Sequence, residues 1–181
     1  MIAACCRGRG IGLSNRLPWV LEGDMRLFQR LTVGDGRNAV LMGKKTWLSL
    51  PQESRPLPKR TNFVLTSGYE CHGARTVRSI SEAVSHTEPF DKTWVIGGGE
   101  IYRAFLDHAA LEKIYLTHID ADFEFDTQFP QIPKDFICIR SDRQDPECEN
   151  GLKYWLEVYA RNTSPTLEAR PLDQQSTDSA K

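Results

Sequence analysis

The chain has 181 residues, 40% of them hydrophobic and 26% charged, which suits one compact globular domain with a substantial core and leaves no room for a second. A formal net charge of -1 argues against a nucleic-acid binder, which carries a basic excess, and no apolar run approaches the length of a membrane span. The opening Met1-Ile2-Ala3-Ala4-Cys5-Cys6 is too short and too quickly followed by charge for a signal peptide, so a cytoplasmic setting is expected.

Apolar runs alternate with helical patterns and glycine or proline punctuation, the sequence form of an α/β sheet. Ile2 to Cys6 reads as a buried strand, Asp24 to Thr32 as a helix, Asn38 to Met42 as a strand and Lys44 to Leu50 as a helix. Asn62 to Thr66 and Arg75 to Val77 read as strands, Ser79 to Ser85 as a helix, Thr93 to Ile96 as a strand, and Glu100 to Leu106 as a helix. Lys113 to Ile119 returns to strand. Phe136 to Ser141 and Tyr154 to Ala160 read as a closing antiparallel pair across the polar stretch Asp142 to Leu152. The expected fold is a single α/β domain over residues 1–162, with a central, mostly parallel sheet of about eight strands and about four flanking helices. Residues 163–181 have almost no large apolar side chains and read as a disordered tail or linker remnant.

Asp24 is the most informative residue. If its segment is helical, Leu27, Phe28 and Leu31 share its face, putting one carboxylate on an apolar surface where lost hydration raises its pKa. The competing reading is a plain helix N-cap after Gly23. The five cysteines and four histidines show no metal-ligand spacing, and the cysteines read as reduced, mostly structural thiols.

Three glycine motifs follow strands. Gly8-Arg9-Gly10-Ile11-Gly12 lacks the helix and acidic residue of a dinucleotide fingerprint and reads as a flexible loop over a pocket or a surface turn. Gly43-Lys44-Lys45-Thr46 is half a P-loop, with Asn38 where the first glycine should stand; it reads as an anion site or a solvated basic helix start. Gly97-Gly98-Gly99, between a hydrophobic strand and a helix, admits close backbone approach by a ligand.

Ile11-Gly12, Leu17-Pro18-Trp19, Asp24 with Phe28, Met42-Gly43-Lys44-Lys45-Thr46-Trp47, Arg55-Pro56-Leu57-Pro58 with Arg60, Val95-Ile96-Gly97-Gly98-Gly99, and Tyr115-Leu116-Thr117-His118-Ile119 with Asp126 together resemble the dihydrofolate reductase family, in order and rough spacing from Ile2 to Ala160. The resemblance implies hydride transfer from NADPH to a protonated pterin imine of 7,8-dihydrofolate, giving tetrahydrofolate. It implies a catalytic set of Asp24, Thr117 and Trp19, with Thr117 bonding the Asp24 carboxylate. Ala4, Met25, Phe28, Leu50, Leu57, Arg60 and Ile96 would form the substrate site, Arg60 clamping a carboxylate. Ile11, Leu17, Gly43, Lys44, Lys45, Thr46, Leu65, Thr66, Ser67, Gly97, Gly98, Gly99, Glu100, Ile101 and Tyr102 would hold NADPH, the lysines favouring its extra phosphate. The resemblance further implies cis peptides at Gly97-Gly98 and before Pro56, a loop Arg7 to Trp19 pinned through Asp126, and antifolates as ligands. A monomer is expected, and the polar end of the chain would suit a truncated linker to a fused thymidylate synthase, as in some members of that family. Two other readings remain open: a related NADPH-dependent reductase of another pyrimidine-like ring, and a binding module without turnover.

Overall fold

The structure is a computed structural model that describes residues 1–162; the expectation for 163–181 lies outside the described residues. In chain order the elements are β1 (Ile2–Cys5), β2 (Gly10–Gly12), α1 (Glu22–Val33), β3 (Ala39–Gly43), α2 (Lys44–Ser49), β4 (Thr61–Leu65), β5 (Arg75–Val77), α3 (Ile80–Thr87), β6 (Thr93–Val95), α4 (Gly99–Leu106), β7 (Lys113–Ile119), β8 (Thr127–Gln128), β9 (Phe136–Ser141), β10 (Glu147–Glu149) and β11 (Leu152–Arg161). The helices expected from the pattern are all present, with ends displaced by a residue or two. Ser79 proves to be the cap of α3, its hydroxyl accepting from the Glu82 N–H at 3.1 Å.

β3 is buried along its whole length, which is why it reads as an unbroken apolar run. Its alternate residues feed opposite faces: Ala39 and Leu41 pack with Phe63, Phe105 and Ile114, while Val40 and Met42 pack with Trp47, Val64 and Trp94. β5, β4, β3 and β6 form a four-stranded sheet, every pairing parallel. β1 pairs β7 in parallel, and β11 runs antiparallel to β7, β9 and β10, so the expected closing pair is present.

The expected α/β architecture, a mostly parallel sheet with four helices and a closing strand pair, is present among the described residues, and two details add to it. The ladder is divided: among the described residues the strands fall into a four-stranded and a five-stranded sheet, with β2 and β8 pairing separately. Side chains from both larger sheets still share one core, since Met1 and Cys5 pack in the cluster that holds Leu41 and Phe63. Eleven strands lie among the described residues, because β2, β8 and β10 add strands of two or three residues. Such short pieces carry no alternation and are strands only by virtue of distant partners. β10 lies inside the stretch Asp142 to Leu152 that was expected to be a connection. No helix among the described residues is long and apolar enough to cross a membrane.

The carboxyl ends of the parallel strands converge. Gly43 ends β3, Thr66 follows β4, Ile96 and Gly97 follow β6, and Ala4 lies near the end of β1; all five line one depression, where ligands of open parallel sheets are received.

Candidate active site

Two clefts adjoin through Leu17 and Met25, which line both. The smaller, of about 620 Å³, is walled by Trp19, Leu21, Phe28 and Leu57, with Asp24 and Arg60 among its polar lining. The larger, of about 1220 Å³, runs over the glycine turn and the start of α2.

Asp24 is the third residue of α1, because the helix starts at Glu22 with Leu21 at the N-cap; the capping reading is therefore wrong. From that position the half-buried carboxylate reaches β7, where the Thr117 hydroxyl donates to its Oδ1 at 2.6 Å. Burial pushes the carboxyl above its ordinary range; the Thr117 hydrogen bond opposes this, and the charges of Glu147 and Glu149 add to the rise. Trp19 is buried against Phe123, ring centroids 5.6 Å apart, and its indole N–H has no partner among the described residues, a free donor at the site.

Arg60 is steered by its own surroundings. Its Nε donates to the Pro58 carbonyl at 2.9 Å, its Nη1 donates to the Thr32 hydroxyl, and the guanidinium stands 5.9 Å from the Phe28 ring centre. Leu17, Val20 and Met25 expose 53%, 74% and 51% of their surface at the cleft rim, where apolar side chains left in water favour a flat apolar ligand.

In the larger cleft Lys44 and Lys45 open α2 directly after Gly43, and the Lys44 ammonium sits 4.6 Å from the Tyr69 ring centre. The Gly97-Gly98 peptide is cis, as is Arg55-Pro56, both as expected. Gly97 has φ +120, a value open to glycine, and its carbonyl accepts from the Gly43 N–H at 2.8 Å, which ties the turn to the end of β3. Thr46 packs against this turn, since a Cβ on Gly97 or Gly98 would meet its Oγ1 at 3.4 Å. Tyr102 is buried with its hydroxyl donated to the Ile2 carbonyl at 2.9 Å. The Arg7 to Trp19 segment is anchored through Asp126: its Oδ2 accepts from the Ser14 N–H at 2.7 Å and its N–H donates to the Gly12 carbonyl at 3.0 Å.

All fifteen residues expected at a cofactor, from Ile11 to Tyr102, line the larger cleft. Of the expected substrate residues, Met25, Phe28, Leu57 and Arg60 line the smaller cleft, whereas Ala4, Leu50 and Ile96 line the larger one. Thr117 lies behind Asp24 and lines neither. Sequence reading missed Arg16, Arg78 and Arg103, which add positive charge to the larger cleft. Arg78 was within reach, because it directly follows β5 and so stands at a carboxyl end of the parallel sheet. Glu147, Glu149 and Tyr154 around the start of α1 had no local signal.

A family model described as dihydrofolate reductase matches residues 1–161. The dihydrofolate reductase of Heliothis virescens is 36% identical over 177 residues, covering 89% of this chain and 96% of that protein. That of Gallus gallus is 35% identical over 179 residues, covering 89% and 95%. A bifunctional dihydrofolate reductase-thymidylate synthase of Glycine max is 33% identical over 185 residues, covering 93% of this chain and 34% of that protein.

Proposed function

The chain belongs to the dihydrofolate reductase family, NADPH-dependent oxidoreductases acting on dihydrofolate, and we propose that its Asp24 carboxyl grips the pterin ring and promotes its protonation. One observation carries this reading: of the two carboxylates lining the smaller cleft, Glu22 is exposed and paired with Arg26 at 3.3 Å, while Asp24 is turned inward and oriented by Thr117. A neutral ring imine accepts electrons poorly, so a carboxyl whose pKa is raised by burial suits a site that must deliver or share a proton.

The larger cleft fits a phosphorylated dinucleotide. Lysine ammonium groups at Lys44 and Lys45, hydroxyls at Thr46, Thr66 and Ser67, and open glycine backbone at Gly97 to Gly99 are the donors such a ligand demands. NADPH bound there supplies the hydride. Tyr102, its hydroxyl already committed to Ile2, contributes a fixed aromatic wall rather than a free donor. Arg60 is proposed to hold the substrate's carboxylate at the far end of an apolar channel formed by Phe28 and Leu57. The Arg7 to Trp19 segment, pinned by Asp126, shields the junction of the two clefts from water.

Replacing Asp24 by Asn tests the assignment. NADPH absorbance in the presence of dihydrofolate should decay roughly a hundredfold more slowly than with the native protein. Near-normal turnover at neutral pH would remove Asp24 from the mechanism, and ligand binding without any decay in the native protein would make this a binding module. A cytoplasmic monomer is the setting we propose, with thymidylate synthase, named in the Glycine max protein, as the candidate for physical association. Light scattering on the full chain distinguishes a monomer from an oligomer.

A further inference from the structure

The first turn of α1 is held by a side chain 126 residues away. Leu21 at the N-cap has no acceptor to offer, so the amides that open the helix need another partner. Glu149 on β10 supplies it with both oxygens: Oε1 accepts from the Glu22 N–H at 2.6 Å and Oε2 from the Gly23 N–H at 2.8 Å. Tyr154 on β11 closes the arrangement, donating its hydroxyl to Glu147 Oε2 at 2.8 Å and lying 3.5 Å from Glu149 Oε2. Gly23 makes room for it, because a Cβ there would stand 2.1 Å from Tyr154 Oη. The strand that carries Tyr154 also pairs with β7, Leu156 opposite Thr117. One sheet therefore grips Asp24 twice, at its carboxylate through Thr117 and through the neighbouring backbone by Glu149.

Resting on the reading of Asp24 given above, we propose that Glu149 is a positioning residue for the reaction, fixing the Asp24 carboxyl by holding the first turn of α1 and, with Glu147, keeping negative charge behind it. The hydrogen bonds from Gly23 and Glu22 hold the Glu149 carboxyl below its ordinary range, so it stays ionised. The other groups around Asp24 do not cancel that charge. Tyr102 and Tyr154 are both pushed upward and remain neutral, and Glu22 and Arg26 pair with each other on the solvent side. Arg60 lines the same cleft but is turned to Thr32 and Pro58. Negative charge behind Asp24 enlarges its protonated fraction near neutrality, the form a proton-demanding reduction uses.

The test is turnover of the full chain with NADPH and dihydrofolate across pH, for the native protein, Glu149→Gln, Asp24→Asn and the double variant. Glu149→Gln keeps an oxygen for one backbone N–H and loses the charge. It should lower kcat about tenfold at neutral pH, a fraction of what an acid-base group contributes, and move the alkaline limb of the rate to lower pH. Added to Asp24→Asn it should cause no further loss, because it acts through Asp24. Equal losses in both backgrounds, or an unmoved limb, overturn the proposal. If Glu149→Gln does not fold, Glu147→Gln, whose carboxylate accepts from Tyr154, must still shift the limb downward, and an unshifted limb there overturns it equally. Undiminished turnover of Asp24→Asn would instead sink the reading of Asp24 itself, a result separable from a failure at Glu149 alone.

Discussion

The Thr117 hydroxyl donates a 2.6 Å hydrogen bond to Asp24 Oδ1 across 93 residues of chain, joining the middle of β7 to the first turn of α1. Thr117→Val keeps the side-chain shape and deletes the donor. Because this bond favours the ionised carboxylate, its loss raises the Asp24 pKa further and should move the alkaline limb of kcat to higher pH, opposite in sign to the effect of Glu149→Gln. The maximal rate should fall about tenfold, or ~1.4 kcal/mol, as the carboxyl loses its fixed orientation. A pH profile that matches the native one would remove Thr117 from this role.

Asp24 should also lower the stability of the ligand-free protein. Its folded pKa lies above the unfolded value, so its favourable contribution is fully present below the unfolded pKa of about 3.9 and is lost as pH rises through the folded pKa. Asp24→Asn is therefore expected to raise the melting midpoint at neutral pH, with the gain shrinking toward pH 4, while turnover collapses. Melting curves of the ligand-free pair at several pH values decide this, and a destabilised variant at neutral pH would contradict it.

Lys44 and Lys45 should set the choice of cofactor. Alanine at both positions is expected to reduce the NADPH-to-NADH ratio of kcat/KM by roughly tenfold, mostly through a higher KM for NADPH. The native ratio should itself shrink as ionic strength rises, since both lysines are exposed and screened. A ratio untouched by the double substitution would move the phosphate elsewhere in the cleft, with Arg78 the next residue to replace.

Asp126 ties the Arg7 to Trp19 segment through Ser14, and that hydrogen bond is the main reason its carboxyl lies below the ordinary range. Asp126→Ala removes the hydrogen bonds its carboxylate accepts from Ser14 and from the Thr127 hydroxyl and leaves the backbone bond to Gly12. Turnover should fall on the order of fivefold, as expected for losing the one side-chain hydrogen bond that reaches the segment, with the KM for NADPH rising and the melting midpoint nearly unchanged. Native-like kinetics would show that the segment closes without this tie.

The sequence alone specified the parts whose signal is local. The continuous apolar run Ala39 to Met42 announced a strand buried on both faces, Gly97 to Gly99 marked the turn between β6 and α4, and Asp24 stood out because its helical neighbours Leu27, Phe28 and Leu31 are apolar. Burial periodicity is a property of consecutive residues, so these needed no knowledge of what lies across the fold. β2, β8 and β10 were different, being two or three residues long and strands only because a distant partner lies alongside. Whether Asp24 caps its helix or enters a cleft was likewise open until Glu149 and Tyr154, brought from the far end of the chain by the pairing of β11 with β7, took over the first turn of α1. Composition and periodicity encode which side chains avoid water, whereas a hydrogen bond between residues more than a hundred positions apart exists only once chain closure has set their separation.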